Sequence, residues 1–170
     1  MDRDLSSFRP SRLWRRLPLE RRIDAASLFW ADEQSEDQQV EAVASIASHM
    51  KFRPRSVIGL PPERRAKYLA QLPNVSDAIA ARALVSYHLE RHRPMMAAFL
   101  DALGIPHENG LITEETVSKP DAAKLQAAAA ELESKFDAND VAVYLSTLVS
   151  QDPDTWGGLA DLPQVKSASA

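Results

Sequence analysis

Ser76-Asp77-Ala78-Ile79-Ala80-Ala81-Arg82-Ala83-Leu84-Val85-Ser86-Tyr87-His88-Leu89-Glu90-Arg91-His92-Arg93 is the stretch that decides the fold class. Serine favours the position before a helix, because its hydroxyl accepts a first-turn N–H that has no helical partner. Behind Ser76, a helix is predicted over 77–93. Ile79, Ala80, Ala83, Leu84 and Tyr87 recur at intervals of three and four and make one apolar face. Val85 and Leu89 lie on another side. A helix that is apolar around much of its girth belongs in the middle of a fold.

Working outward, the same punctuation recurs. Pro18 is predicted to open a helix with Leu19, Ile23, Ala26 and Trp30 inward. Ser35 followed by Gln38 reads as a capping box, with Val40, Val43, Ala47 and Met50 as the stripe behind it. Pro61-Pro62 starts a helix to Leu72, since proline is tolerated where first-turn N–H groups are unpaired. Beyond the central helix, Pro94 opens or kinks a segment that Gly104-Ile105-Pro106 stops, and Asn109-Gly110 marks a turn. Asp121 and Asp137 start two more helices, and Pro153 a short one that Gly157-Gly158 weakens.

No convincing strand alternation interrupts this series, because Val57-Ile58 and Leu111-Ile112 are too short to build a sheet. The expected fold is all-α, an irregular multi-helix bundle of about seven to nine helices with short loops. It is read as a single domain over 1–162, with 1–17 as a peripheral basic arm and 163–170 as a flexible tail without apolar anchors.

Composition narrows the function classes. The chain has 170 residues, 45% hydrophobic and 26% charged, enough for a core without disulfide or metal. It has no cysteine, so thiol nucleophiles and Cys-based zinc sites are excluded. The longest apolar run, Met95 to Leu100, falls far short of the roughly 20 residues of a spanning helix. No secretory signal is read at the start, and a cytoplasmic location is expected. The net charge of −4 is unevenly placed. Residues 1–95 carry 16 Lys and Arg against 12 Asp and Glu, a balance of +4; residues 96–170 carry 4 against 12, a balance of −8. The two parts attract each other in the fold or in an oligomer, or else the basic part meets an external anion.

Three groups of residues are candidates for function. The first is the N-terminal arginine segment. Arg12, Arg15 and Arg16 suit carboxylate or phosphate recognition, with Trp14 as an anchor. The second is the segment 68–84. Ala70, Asn74, Val75 and Ser76 stand where a small residue, a turn residue, a buried valine and a serine cap stand in a helix-turn-helix, and the segment resembles that motif of bacterial repressors. The resemblance implies nucleic-acid contact through Ser76 and Arg82; the alternative is an ordinary helix pair with a capped turn. The third is His88 and His92, four apart on the predicted helix, where two imidazoles can share a metal if a third ligand joins them.

No phosphate-binding loop is found among the five glycines, and no serine sits in a nucleophile elbow. No cofactor is called for. The first expectation is therefore a non-catalytic module that binds a protein partner or itself. The alternatives are a nucleic-acid-binding protein, using 68–84 or the arginine segment, and an all-α enzyme or metal-binding protein with its site around His88 and His92.

Overall fold

A computed structural model of the chain, which describes residues 4–169, is all-α. The described residues form eleven α-helices, nine of them seven residues or longer, so the count slightly exceeds the expected range. The only strands among them pair in one short hairpin. Residues 1–3 of the expected arm and Ala170 of the expected tail lie outside the described residues. The chain groups into two compact units. One spans Pro10–Glu90; the other joins the stretch ending at Arg9 to everything from Arg91 onward.

The Pro10–Glu90 unit holds α1 (Pro10–Arg16), α2 (Leu19–Ala31), α3 (Glu36–Met50), α4 (Pro54–Ile58), α5 (Pro62–Gln71) and α6, which runs from Asp77 to Arg91. Helix α6 starts as its sequence predicts. The Ser76 hydroxyl accepts the Ile79 N–H at 3.2 Å. Ile79, Ala80, Ala83, Leu84 and Tyr87 are buried, the face its sequence predicts. Helix α2, with Ala25, Ala26 and Phe29 buried, packs chiefly on α5. On α3 the buried residues are Ala42, Ile46 and Ala47, and Val40 of the expected stripe is 69% exposed. Both stripes have helical spacing, so the local pattern does not choose between them. Leu19, expected inward, is exposed as well.

Ser35 also departs from expectation. It precedes α3 but makes no capping hydrogen bond with its side chain. Asp32 caps the preceding 3-10 turn (Glu33–Ser35) instead, accepting the Gln34 N–H at 2.9 Å. The Gln39 side chain closes the other end of this corner, donating to the carbonyls of Phe29, Trp30 and Asp32 at 2.9, 3.3 and 3.0 Å. Carbonyls of the last turn have no helical partner, so this one amide fixes the C-terminus of α2.

The second unit holds α7 (Arg93–Leu103), strands β1 (His107–Glu108) and β2 (Leu111–Ile112), then α8 (Ala122–Lys135), α9 (Ala138–Gln151), α10 (Pro153–Trp156) and α11 (Pro163–Ser169). Its centre is α9, buried from Val141 to Val149 except at half-buried Val143, with α8, α10 and α11 packed around it. Phe99 of α7 stacks edge-on against Tyr144 of α9 and tilted against Trp156, both at 5.8 Å between centroids. Burial pushes the Tyr144 phenol far above its ordinary range, so it stays neutral. Caps are placed where aspartates predicted them: Asp121 accepts the Lys124 N–H and Asp137 the Asp140 N–H. A helix switches to a 3-10 turn (Gly157–Asp161) at the glycine pair. The segment from Pro163, expected to lack anchors, is a helix with Val165 fully buried and Leu162 buried just ahead of it. Two apolar residues next to a proline at the first helical position are enough to seat it.

Candidate functional site

A mainly apolar groove of about 420 Å³ in the Pro10–Glu90 unit is walled by α2, α3, α4 and α5. Trp30 stands at the end of α2, its indole edge-on to the buried ring of Phe29 at 5.2 Å. Val40, Val43 and Ala44 line it from α3 and Ile58 from α4. Val40 is 69% and Ile58 62% exposed, although isolated apolar residues of this size usually gain about 1.5–3 kcal/mol from full burial. From α5, the Arg65 guanidinium lies 5.1 Å from the Trp30 ring centroid, a cation–π contact. The indole N–H of Trp30 and the Nε of Arg65 are both shut off from water, with no hydrogen-bond partner among the described residues. Among the described residues Arg65 makes no ion pair.

Two charged residues line the groove, Glu36 from α3 and Arg65 from α5. Residues 51–67 carry Lys51, Arg53, Arg55, Arg64, Arg65 and Lys67 against the single acid Glu63. All six cations are exposed except Arg65, which is half-buried. Aromatic Phe52 and Tyr68 pack edge-on at 5.9 Å within the same stretch. This groove is not among the sites that the sequence nominates. Its signal was legible as a run of cations across two proline-opened helices, but Val40 was assigned to the core and Trp30 to the inward face.

The sequence-nominated residues are distributed differently. Trp14 is only 2% exposed, so it belongs to the core and is no surface anchor. Leu13 and Leu17 are buried with it, and α1 is seated by an N-cap from Asp77, which accepts the Ser11 N–H at 3.0 Å. Arg12, Arg15 and Arg16 are exposed, and Arg15 donates to the Asn74 side chain at 2.7 Å. Desolvation, and after it the Arg12 charge four residues away, lowers the Arg16 pKa.

In the segment 68–84, α1 therefore lies against the start of α6 through Asp77 and Asn74. Helix α5 packs mainly on α2 rather than on α6, which is not the pairing of a helix-turn-helix. Arg82 is held at 3.1 Å by the Asp32 carboxylate and donates through Nε to the Ser35 hydroxyl at 3.2 Å. The Ser86 hydroxyl donates to the same carboxylate oxygen at 2.7 Å. Burial acts to raise the Asp32 pKa, but the hydrogen bonds from Ser86 and Gln34 and the Arg82 charge outweigh it and hold the carboxyl below its ordinary value. A depressed carboxyl contributes stability that is fully present above its unfolded pKa and lost as pH falls through the folded one. Asp32→Asn is therefore expected to cost about 1–2 kcal/mol near pH 7 by urea unfolding, with the gap from the parent closing below about pH 4. A gap that is constant with pH would show that the carboxylate charge plays no part.

His88 and His92 do not share a helix. Helix α6 ends at Arg91, and His92 has φ −128° and ψ 20°. Pro94 explains the break, because it has no N–H to continue the ladder. His92 lies 3.8 Å from Asp140, and His88 is buried on α6. Among the described residues no group of three or more histidines and carboxylates is placed to hold a metal. A second groove, about 480 Å³, lies between α3 and the turn at Pro73-Asn74, lined by Glu41, Ser45, Ser48 and His49. The Ser45 hydroxyl donates to the Glu41 carbonyl at 3.0 Å, not to an imidazole.

No helix of the described residues is long and apolar enough to cross a membrane. The fold and groove define a class, an all-α protein with a mainly apolar cleft. No protein-family model, curated protein or solved structure matches the chain.

Proposed function

We propose that this chain is a non-catalytic, cytoplasmic helical interaction module whose groove between α2, α3, α4 and α5 receives a protein segment. The observation that carries this reading is the pairing of Trp30 with Arg65 beside exposed Val40 and Ile58. Tryptophan and arginine dominate binding hot spots because each presents a large, rigid contact area with a polar handle. Contiguous apolar surface at a rimmed groove is the usual mark of a contact site.

The test places a photo-crosslinking amino acid at Val40 in the full chain and exposes it to the soluble proteins of its own host. A discrete protein adduct is expected, and Ile58→Asp in the same chain is expected to abolish it while leaving thermal unfolding unchanged. Failure to form any Val40 adduct sinks the reading. An adduct with nucleic acid in place of protein would favour the basic stretch 51–67 as a phosphate-binding surface.

A further inference from the structure

We infer that the occupant of this groove is an amphipathic helix whose apolar stripe lies on Val40, Val43 and Ile58 and whose acidic side chain pairs with Arg65. This rests on the docking role proposed above and adds the chemistry of the partner. Charge is the first argument. The charged residues that line the groove are Glu36 on α3 and Arg65 on α5, and Arg65 belongs to a stretch of six cations against one acid, so it is the α5 wall that attracts a negative side chain. The Arg65 guanidinium is the one that lines the groove, stacked on Trp30 and without an ion pair among the described residues. A planar guanidinium held by an aromatic face is already oriented, so little side-chain freedom is lost when a carboxylate takes it in a fork.

The secondary structure of the occupant follows from hydrogen bonding. An extended segment must find partners for its backbone N–H and C=O groups in the groove. The α3 and α4 walls at Val40, Val43, Ala44 and Ile58 offer aliphatic side chains, the Gln39 amide N–H group is already spent on three carbonyls of the α2 corner, and Glu36 and Arg65 are too few to pair the backbone of an extended segment. A helix satisfies its own backbone and needs only apolar side chains at every third or fourth position, which a helix-walled groove accepts.

Selection from a displayed library of amphipathic helices with randomised faces, using the full chain as bait, tests this. The enriched helices are expected to carry an aliphatic stripe flanked by Asp or Glu. Synthetic copies are expected to weaken by about tenfold or more against Arg65→Gln, and to be partly restored by Arg65→Lys, which keeps the charge and loses the fork. Val40→Asp is expected to abolish binding, and thermal unfolding of each variant shows that the fold is intact. Enriched aliphatic helices indifferent to Arg65→Gln would overturn the acidic pairing and leave the docking role standing. Enrichment of lysine or arginine, or of proline-rich extended sequences, would overturn the inference. So would a concentration-dependent dimer, by light scattering, that Val40→Asp dissolves, since the occupant would then be a second copy. Absence of Val40 adducts in the preceding experiment, by contrast, removes the docking role itself.

Discussion

Phe99→Ala is expected to cost the chain about 3–5 kcal/mol, the range for deleting a fully buried aromatic. Phe99 is 0% exposed and its ring meets Tyr144 and Trp156, which come from two other helices. Truncation removes both aromatic contacts and leaves a cavity, because the neighbours are themselves large rings that cannot collapse into the space. A domain is commonly stable by only about 5–15 kcal/mol, so the loss reaches a large share of the total. Urea unfolding of the full chain, followed by far-ultraviolet circular dichroism and by tryptophan emission, measures it. Phe99→Leu keeps most of the volume and is expected to lose about 1–2 kcal/mol. A Phe99→Ala penalty below about 1 kcal/mol would mean that the three rings are not packed as described.

The second large effect is at Gly110. Its φ is +87° and that of Asn109 is +50°, so both turn residues of the hairpin are left-handed. This is the backbone of a tight two-residue turn matched to the twist of its strands, and Asn-Gly is the pair best suited to it. A Cβ on Gly110 would meet Met96 Cβ at 2.8 Å and the Arg93 carbonyl at 3.2 Å, atoms fixed on the first turns of α7. Gly110→Ala thus combines left-handed strain with a contact that neither backbone can yield. A loss of about 3 kcal/mol or more is expected, with the hairpin lifted off α7.

Gly104 supplies the control. Its φ is +69° at the end of α7, yet nothing lies within 4 Å of where a Cβ would stand. Gly104→Ala should cost only the backbone term, about 1–2 kcal/mol. Hydrogen exchange adds a local readout. The Gly110 N–H donates to His107 Nδ1 at 3.1 Å, and Arg93 donates to the Asn109 carbonyl, so the amide at position 110 should lose protection in the Gly110 variant alone. Equal penalties at the two glycines would contradict the close approach to Met96.

Much of the secondary structure was legible because its determinants are local. Ser76, Asp121 and Asp137 each accept an N–H three residues on, and Asn109-Gly110 turns on its own backbone freedom. Gly104 closes α7 through its own N–H and that of Ile105, which reach back to carbonyls of the last turn. The errors cluster where two local solutions compete. Ser35 had a capping pattern, but Arg82, 47 residues away, takes its hydroxyl. His92 had helical spacing from His88, but Pro94 ended the helix between them.

The candidate groove was legible only in part. The cations of residues 51–67 stand in the sequence for anyone to count. That Arg65 among them stacks on Trp30, from a helix that begins more than forty residues earlier, follows from how α2 and α5 pack, and no spacing rule contains it. Val40 was misplaced for the same reason, since α3 has two apolar stripes and its neighbours cover one.

The sequence by itself determined that this chain is helical, where most helices start and stop, and that cysteine chemistry and a spanning helix are absent from it. These are set by residues within about one helical turn of each other, whose interactions exist before any tertiary contact forms. The tertiary structure alone decided which apolar stripe of α3 is buried, that Trp14 is core and Trp30 the wall of a groove, and that among the described residues Arg82 has an ion pair while Arg65 has none. Those outcomes depend on which helices meet, and helices with several apolar faces leave that choice to the packing of the whole unit.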